Sequence, residues 1–151
     1  MSIQRLREEQ IREALAKISL SSGVSIRAWR SQDFPSIQRL SSAEGWTTPA
    51  DRPNEARFSW RRSWPALIAT DDKGEVIGFV RALTDGEVTT YIGELLVVPR
   101  YRQKGLGRAL LDMCHHLYPN TRLDLLSTES ADQFYEAMGC RRFQGFRKSY
   151  W

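Results

Sequence analysis

The chain has 151 residues, 41% hydrophobic and 26% charged, with 22 basic side chains against 18 acidic ones. That length suits one domain able to bury roughly two-thirds of its unfolded surface, and the composition excludes a disordered, fibrous or collagen-like chain. No apolar run approaches the ~20 residues of a membrane helix, and the charged N-terminus lacks the apolar core of a secretory signal. Two cysteines without C-x-x-C spacing predict a metal-free protein of a reducing cytoplasm.

In chain order, Ser2–Ile18 predicts a helix. Ile3, Leu6, Ile11, Ala14, Leu15 and Ile18 fall near one face, and Ser2 is placed to cap it. The run Ser19–Gly23 breaks it, so residues 1–23 read as an N-terminal helical extension and residues 24–151 as the domain proper. Val24–Trp29 reads as a strand, Asp33 heads a short helix carrying Phe34, Ile37 and Leu40, and Gly45–Asn54 is loop-like. Glu55–Trp64 reads as a helix with Trp60 and Trp64 on one face.

Pro65–Thr70, the turn Asp71–Gly74 and Glu75–Leu83 form a hairpin pattern. Val88–Val98 is a long β-rich run stopped by Pro99; Gly93 within it marks either a bulge or an ordinary strand glycine. Gly105–Leu117 is an amphipathic helix with Leu106, Leu110, Met113, Cys114 and Leu117 on one face. Leu123–Leu126 is a short strand, Ala131–Met138 a helix capped by Gly139, and the tail with Phe143, Phe146 and Tyr150 supplies one or two last strands. The order of elements predicts an α+β, mixed α/β layer domain with helices on both faces of the sheet.

Chemistry concentrates in Val97-Val98-Pro99-Arg100-Tyr101-Arg102-Gln103-Lys104-Gly105-Leu106-Gly107-Arg108. A strand runs into a basic, glycine-containing turn that opens a helix. The first helical N–H groups lack acceptors and sit at the positive end of the helix dipole, which favours an anion. Gly105 and Gly107 would let a phosphate approach those amides, with Arg102, Lys104 and Arg108 adding charge. Neither G-x-x-x-x-G-K-[ST] nor G-x-G-x-x-G is present. Between Glu94 and Asp112 there are four basic residues and no acid, so the formal charge of +4 resides in this window.

At these residues the sequence resembles the GCN5-related N-acetyltransferase (GNAT) superfamily. Arg102-Gln103-Lys104-Gly105-Leu106-Gly107 fits its pyrophosphate signature, [RQ]-x-x-G-x-[GA]. Ala131-Asp132-Gln133-Phe134-Tyr135-Glu136-Ala137-Met138-Gly139-Cys140 is similar to its A-x-x-F-Y-x-x-x-G-F helix, with Cys140 in place of an aromatic. The resemblance covers roughly Val24 to Trp151. It implies a mostly antiparallel sheet of about six or seven strands, splayed between strands 4 and 5. It also implies acetyl-CoA as co-substrate, no metal, and transfer of acetyl to a primary amine in a ternary complex.

By that resemblance the pyrophosphate would rest on the amides of Gln103, Lys104, Gly105, Leu106, Gly107 and Arg108, beside Arg102. The pantetheine arm would pair with the backbone of Leu96 and Val98, and an amide near Val97 would polarise the acetyl carbonyl. Tyr135 occupies the general-acid position, able to protonate a departing thiolate. Glu94 is the candidate base, interrupting an uncharged strand; paired to Arg81, it would instead be structural.

The acceptor is expected to be a small amine, with a protein lysine or N-terminus as the alternative. A non-catalytic acyl-CoA-binding module would keep the glycines while losing Tyr135 and Glu94. Trp46, Phe58, Trp60 and Trp64 with Arg52, Arg57, Arg61 and Arg62 form either an acceptor wall or ordinary packing with a solvated face. Nothing matches a nucleic-acid-binding pattern, and membrane partners are not expected. Cys114 and Cys140 are expected to be packed. The N-terminal helix is free to dock on the domain or to mediate a homodimer.

Overall fold

In the computed structural model, which describes residues 1–150 and only the backbone of Glu129, an N-terminal helix α1 (Ile3–Leu15) starts at Ser2. The Ser2 hydroxyl accepts the Arg5 N–H at 3.2 Å, the expected cap. Trp151 lies outside the described residues. The other helices are α2 (Phe34–Ala43), α3 (Thr48–Asp51), α4 (Pro53–Arg62), α5 (Leu106–Leu117) and α6 (Asp132–Ala137). α3 is a single turn inside the stretch expected as loop, begun by Pro49 in its first turn.

The strands β1 (Ser25–Ala28), β2 (Ala66–Thr70), β3 (Val76–Thr84), β4 (Thr89–Val97) and β5 (Arg122–Leu125) lie in the sheet in sequence order. The first three pairings are antiparallel and β4–β5 is parallel, joined by α5 as the crossover. Five strands are present among the described residues, fewer than the six or seven expected. The tail forms none. Phe143 and Phe146 are three residues apart, so an extended chain would point them to opposite faces, and Gly145 separates them. Both rings are exposed.

Each face of the sheet buries its own core. On one face α1 and α5 bring Ile11, Ala14, Leu110, Leu111 and Met113 onto Leu67, Ala69, Val80 and Ile92. On the other, α2 and α4 bring Phe34, Ile37 and Trp60 onto Ile68, Phe79 and Leu96. The Trp60 ring meets Phe79 edge-on at 5.4 Å, a contact worth about 0.5–1.5 kcal/mol beyond its burial. Trp64 does not share that face. It follows the end of α4, where Ser63 turns extended, and joins the α1–α5 core with Arg7 over its ring at 4.3 Å.

Two glycines set the geometry around the basic turn. A Cβ on Gly78 would lie 2.9 Å from the Leu96 carbonyl oxygen and 3.6 Å from both Leu106 and Leu110, so its absence lets α5 settle on β3. In β4 the register passes from Arg81↔Glu94 to Ala82↔Ile92, leaving Gly93 as the extra residue of a bulge. A Cβ at Gly93 would lie 3.0 Å from Arg81 Nη2, so glycine makes room for that guanidinium. β5 pairs with Thr89–Ile92 only, up to the bulge. From Gly93 to Val97, β4 has β3 on one side and no strand on the other. This is the splay expected between the fourth and fifth strands.

Candidate functional site

Beyond Val97 the chain makes one 3₁₀ turn at Pro99–Tyr101 and then the basic loop. Gln103 (φ 62°) and Gly105 (φ 84°) both adopt left-handed backbone, which folds the loop back onto the head of α5. The N–H groups of Leu106, Gly107 and Arg108 precede the first helical acceptor and have no partner within the helix; Ala109 is the first to bond, to Gly105 at 3.0 Å. The space where a Gly105 Cβ would stand is open to 4 Å. At Gly107 a Cβ would meet Phe134 at 3.0 Å and Val97 at 3.8 Å, so this glycine also makes room for the Phe134 ring.

The basic side chains divide. Lys104 is exposed, with Nζ 5.4 Å from the Tyr101 ring centroid, and Arg108 Nη2 donates to the Ala137 carbonyl at 3.3 Å, tying α5 to α6. Arg102 turns away from the helix. Its Nε donates to the Val97 carbonyl at 2.9 Å and its Nη2 to Glu44 at 2.5 Å. Glu44 caps the C-terminal end of α2 and was not visible as a site residue, because it is 58 residues upstream.

On the open half of β4 the backbone alternates between β3 and the free side. The Val98 N–H donates to Ile77 at 2.9 Å, which commits Val98 to β3. Alternation then turns the Leu96 backbone to β3 as well, and Leu95 and Val97 outward. The outward backbone groups of this edge therefore belong to Leu95 and Val97, one residue away from Leu96 and Val98. Leu96 and Val98 are buried in the two cores.

Tyr135 on α6 is half-buried against the α1–α5 core, its ring 5.0 Å from Phe134. Burial, with Cys140 beside it as the smaller cause, raises the phenol above its usual range. Cys140 is exposed, contrary to the packing expected for it. Glu94 stands across from Arg81, with Oε2 3.4 Å from Nε. Arg81 Nη1 reaches the Ser63 hydroxyl at 3.2 Å, at the end of α4. Of the aromatic wall, Trp60 is core and Phe58 is half exposed, with Arg61 and Arg62 each 5.7 Å from its centroid.

A helix head prepared for an anion thus continues into an outward-facing strand edge. This shape suits a ligand with a phosphorylated end and an amide-containing arm, the kind of carrier that acyltransferases use. The family described as Acetyltransferase (GNAT) domain matches over residues 62–141, and the chain belongs to that family. A solved Deinococcus radiodurans R1 protein assigned as an acetyltransferase is 27% identical, covering 87% of this chain and 92% of its own, with a TM-score of 0.70. Two more distant structures share the fold. A GNAT-family acetyltransferase from Streptococcus pneumoniae TIGR4 is 20% identical, with a TM-score of 0.64 over 83% of this chain and 98% of its own. An aminoglycoside acetyltransferase from an uncultured soil sample is 17% identical, with a TM-score of 0.65 over 86% and 98%. No curated protein matches significantly. Among the described residues no helix is long and apolar enough to cross a membrane, and no cluster of three metal-ligating side chains occurs.

Proposed function

We propose that this chain is an N-acetyltransferase that moves acetyl from acetyl-CoA to the primary amine of a small molecule, by direct attack in a ternary complex. The observation that carries the reading is the continuity of the anion turn with the open edge of β4. The left-handed pair Gln103 and Gly105 exposes the α5 amides to a diphosphate, and the outward groups of Leu95 and Val97 begin where that loop ends.

When bound, acetyl-CoA supplies a thioester whose carbonyl carbon accepts the amine. The Val97 N–H, facing the free side, would hydrogen-bond the acetyl oxygen as negative charge gathers there. Tyr135 serves as proton donor to the departing sulfur. Its raised pKa keeps the proton on the phenol until it is needed. Glu94 takes the proton of the incoming ammonium, directly or through water, and Arg81 holds its carboxylate in place. The test is an amine-panel assay that follows free CoA release. CoA released only when both acetyl-CoA and a particular amine are present supports the reading. Tight acetyl-CoA binding with no release for any amine would favour a non-catalytic acyl-CoA-binding module.

A further inference from the structure

We propose that Ser63 is a positioning residue for acetyl transfer: through Arg81 it fixes where Glu94 holds its carboxylate on the open half of β4. This rests on the reading above, in which Glu94 is the base, and adds to it a residue at the end of α4.

Arg81 is a cation set between the fully buried Val80 and Ala82 of β3, and only 17% of its side chain is exposed. A guanidinium brings five N–H donors, and each one left unmatched in such a place costs free energy. Nη2 lies in the space that Gly93 leaves, and Nε faces Glu94 without reaching hydrogen-bond geometry. Among the described residues, the Ser63 hydroxyl is the one hydrogen-bond acceptor of this guanidinium, 3.2 Å from Nη1. A charge attraction alone tolerates rotation of the guanidinium plane, whereas a hydrogen bond is directional. Ser63 therefore decides which edge of Arg81 is turned to Glu94.

The polarity of the Ser63 hydroxyl is fixed as well. The Ser63 N–H bonds to the Trp60 carbonyl, which leaves the Ser59 carbonyl without its helical donor at the end of α4. The Ser63 hydroxyl donates to that carbonyl at 2.6 Å, so its lone pairs are left for Arg81. At 2% exposure, Ser63 keeps bulk water from competing for either bond. The result is one polarised chain from the Ser59 carbonyl through Ser63 and Arg81 to Glu94, in surroundings that strengthen each link. Its far end is Glu94 Oε2, buried on the Arg81 side. Oε1 makes no hydrogen bond among the described residues, and it is the oxygen left to receive the ammonium proton.

The test is steady-state kinetics of the full chain, with an amine that gives CoA release, for Ser63→Ala, Ser63→Cys and Ser63→Thr. Thermal melts check that each variant is folded. Ser63→Cys keeps the volume of the site and offers only a weak acceptor, so it reads the lost hydrogen bond without a cavity. Ser63→Thr keeps the hydroxyl, and a β-branched side chain suits the extended backbone at this position (φ −93°, ψ 143°). Ser63→Ala and Ser63→Cys should each lower kcat about tenfold while KM for acetyl-CoA stays within about twofold, the signature of a misplaced base. Ser63→Thr should restore kcat to within about threefold of wild type. Added to Glu94→Gln, Ser63→Cys should lower kcat no further, because both changes act through one carboxylate. Unchanged turnover in Ser63→Cys overturns the role. So does a fall that multiplies onto that of Glu94→Gln, which would make Ser63 structural and independent of the base. Unchanged turnover in Glu94→Gln itself removes the base and the positioning role together. CoA release with no amine at all overturns the acetyl-transfer reading.

Discussion

Arg81 of β3 stands directly across from Glu94 of β4, their side chains meeting at 3.4 Å in the space that Gly93 leaves without a Cβ. Arg81 Nε and Glu94 Oε2 are buried and attract one another without reaching hydrogen-bond geometry. Removing one partner strands the other charge. Arg81→Gln should therefore cost about 1–3 kcal/mol of stability, and part of it should return in the Arg81→Gln/Glu94→Gln double variant. Glu94→Gln should lower kcat about 100-fold, the ordinary contribution of a general base. Urea unfolding of the four proteins, read as a double-mutant cycle, checks the pairing; steady-state kinetics check the base. Additive stabilities would dissolve the pair, and unchanged turnover in Glu94→Gln would remove Glu94 from the chemistry.

Tyr135→Phe should lower kcat about 100-fold while leaving CoA affinity close to wild type, because a lost proton donor affects the step and not the binding. The pH dependence follows from the phenol's raised pKa. Its acid form persists past the usual value of 10, so this residue places any decline in kcat at higher pH than an ordinary tyrosine would. The same shift makes the group's stability contribution present below the unfolded pKa and lost as pH rises through the folded one. Incorporating 3-fluorotyrosine at this position should move the alkaline limb downward. A limb that does not move would assign it to another group.

On the proposed function, Glu44 and the donor's diphosphate would compete for the Arg102 guanidinium. Arg102 is held on Val97 and Glu44, with 47% of its side chain exposed, so the pair is worth the fraction of a kcal/mol usual at a surface. Glu44→Gln should tighten acetyl-CoA binding about two- to fivefold, and the gain should shrink at high salt. Titration at two ionic strengths reads both effects. Weaker binding in Glu44→Gln would mean that the clasp organises the turn rather than restraining Arg102.

The two cysteines should part company toward alkylating reagents. Burial pushes the Cys114 thiol up to about 12, whereas Cys140 is exposed. Iodoacetamide on native protein at neutral pH should add one carbamidomethyl group, at Cys140, and two after denaturation. Mass spectrometry of the intact chain and its peptides counts them. Rapid native labelling of Cys114 would show that the α5 core opens.

How much of this was legible beforehand depended on whether a property is local. The basic turn could be read because Pro99, Gly105 and the four bases are consecutive in the chain, and the helix they begin declares itself by periodicity. The same locality misled the charge argument. The window from Glu94 to Asp112 contains no acid, yet Glu44 arrives from α2 to meet Arg102 and Glu75 approaches Arg100 at 3.8 Å, so the excess is smaller in space than along the chain. The spacing of Trp60 and Trp64, one helical turn apart, predicts a shared face; α4 ends between them, and they pack on opposite sides of the sheet. Gly93 was ambiguous, because only the register opposite Arg81 distinguishes a bulge from a plain strand glycine. The aromatics of the tail suggest strand, although their spacing serves no single face.

The position of that bulge also amounts to a ruler. From Gly93 to Val97 the open edge runs four residue steps, roughly 13 Å at strand rise. Its inner end is fixed where β5 closes against Ile92, and its outer end where Arg102 takes the Val97 carbonyl. An extended arm laid along this edge has a defined depth before it meets paired sheet. Moving the glycine along β4 by two positions, which preserves the side-chain faces, would lengthen or shorten that depth by about 7 Å.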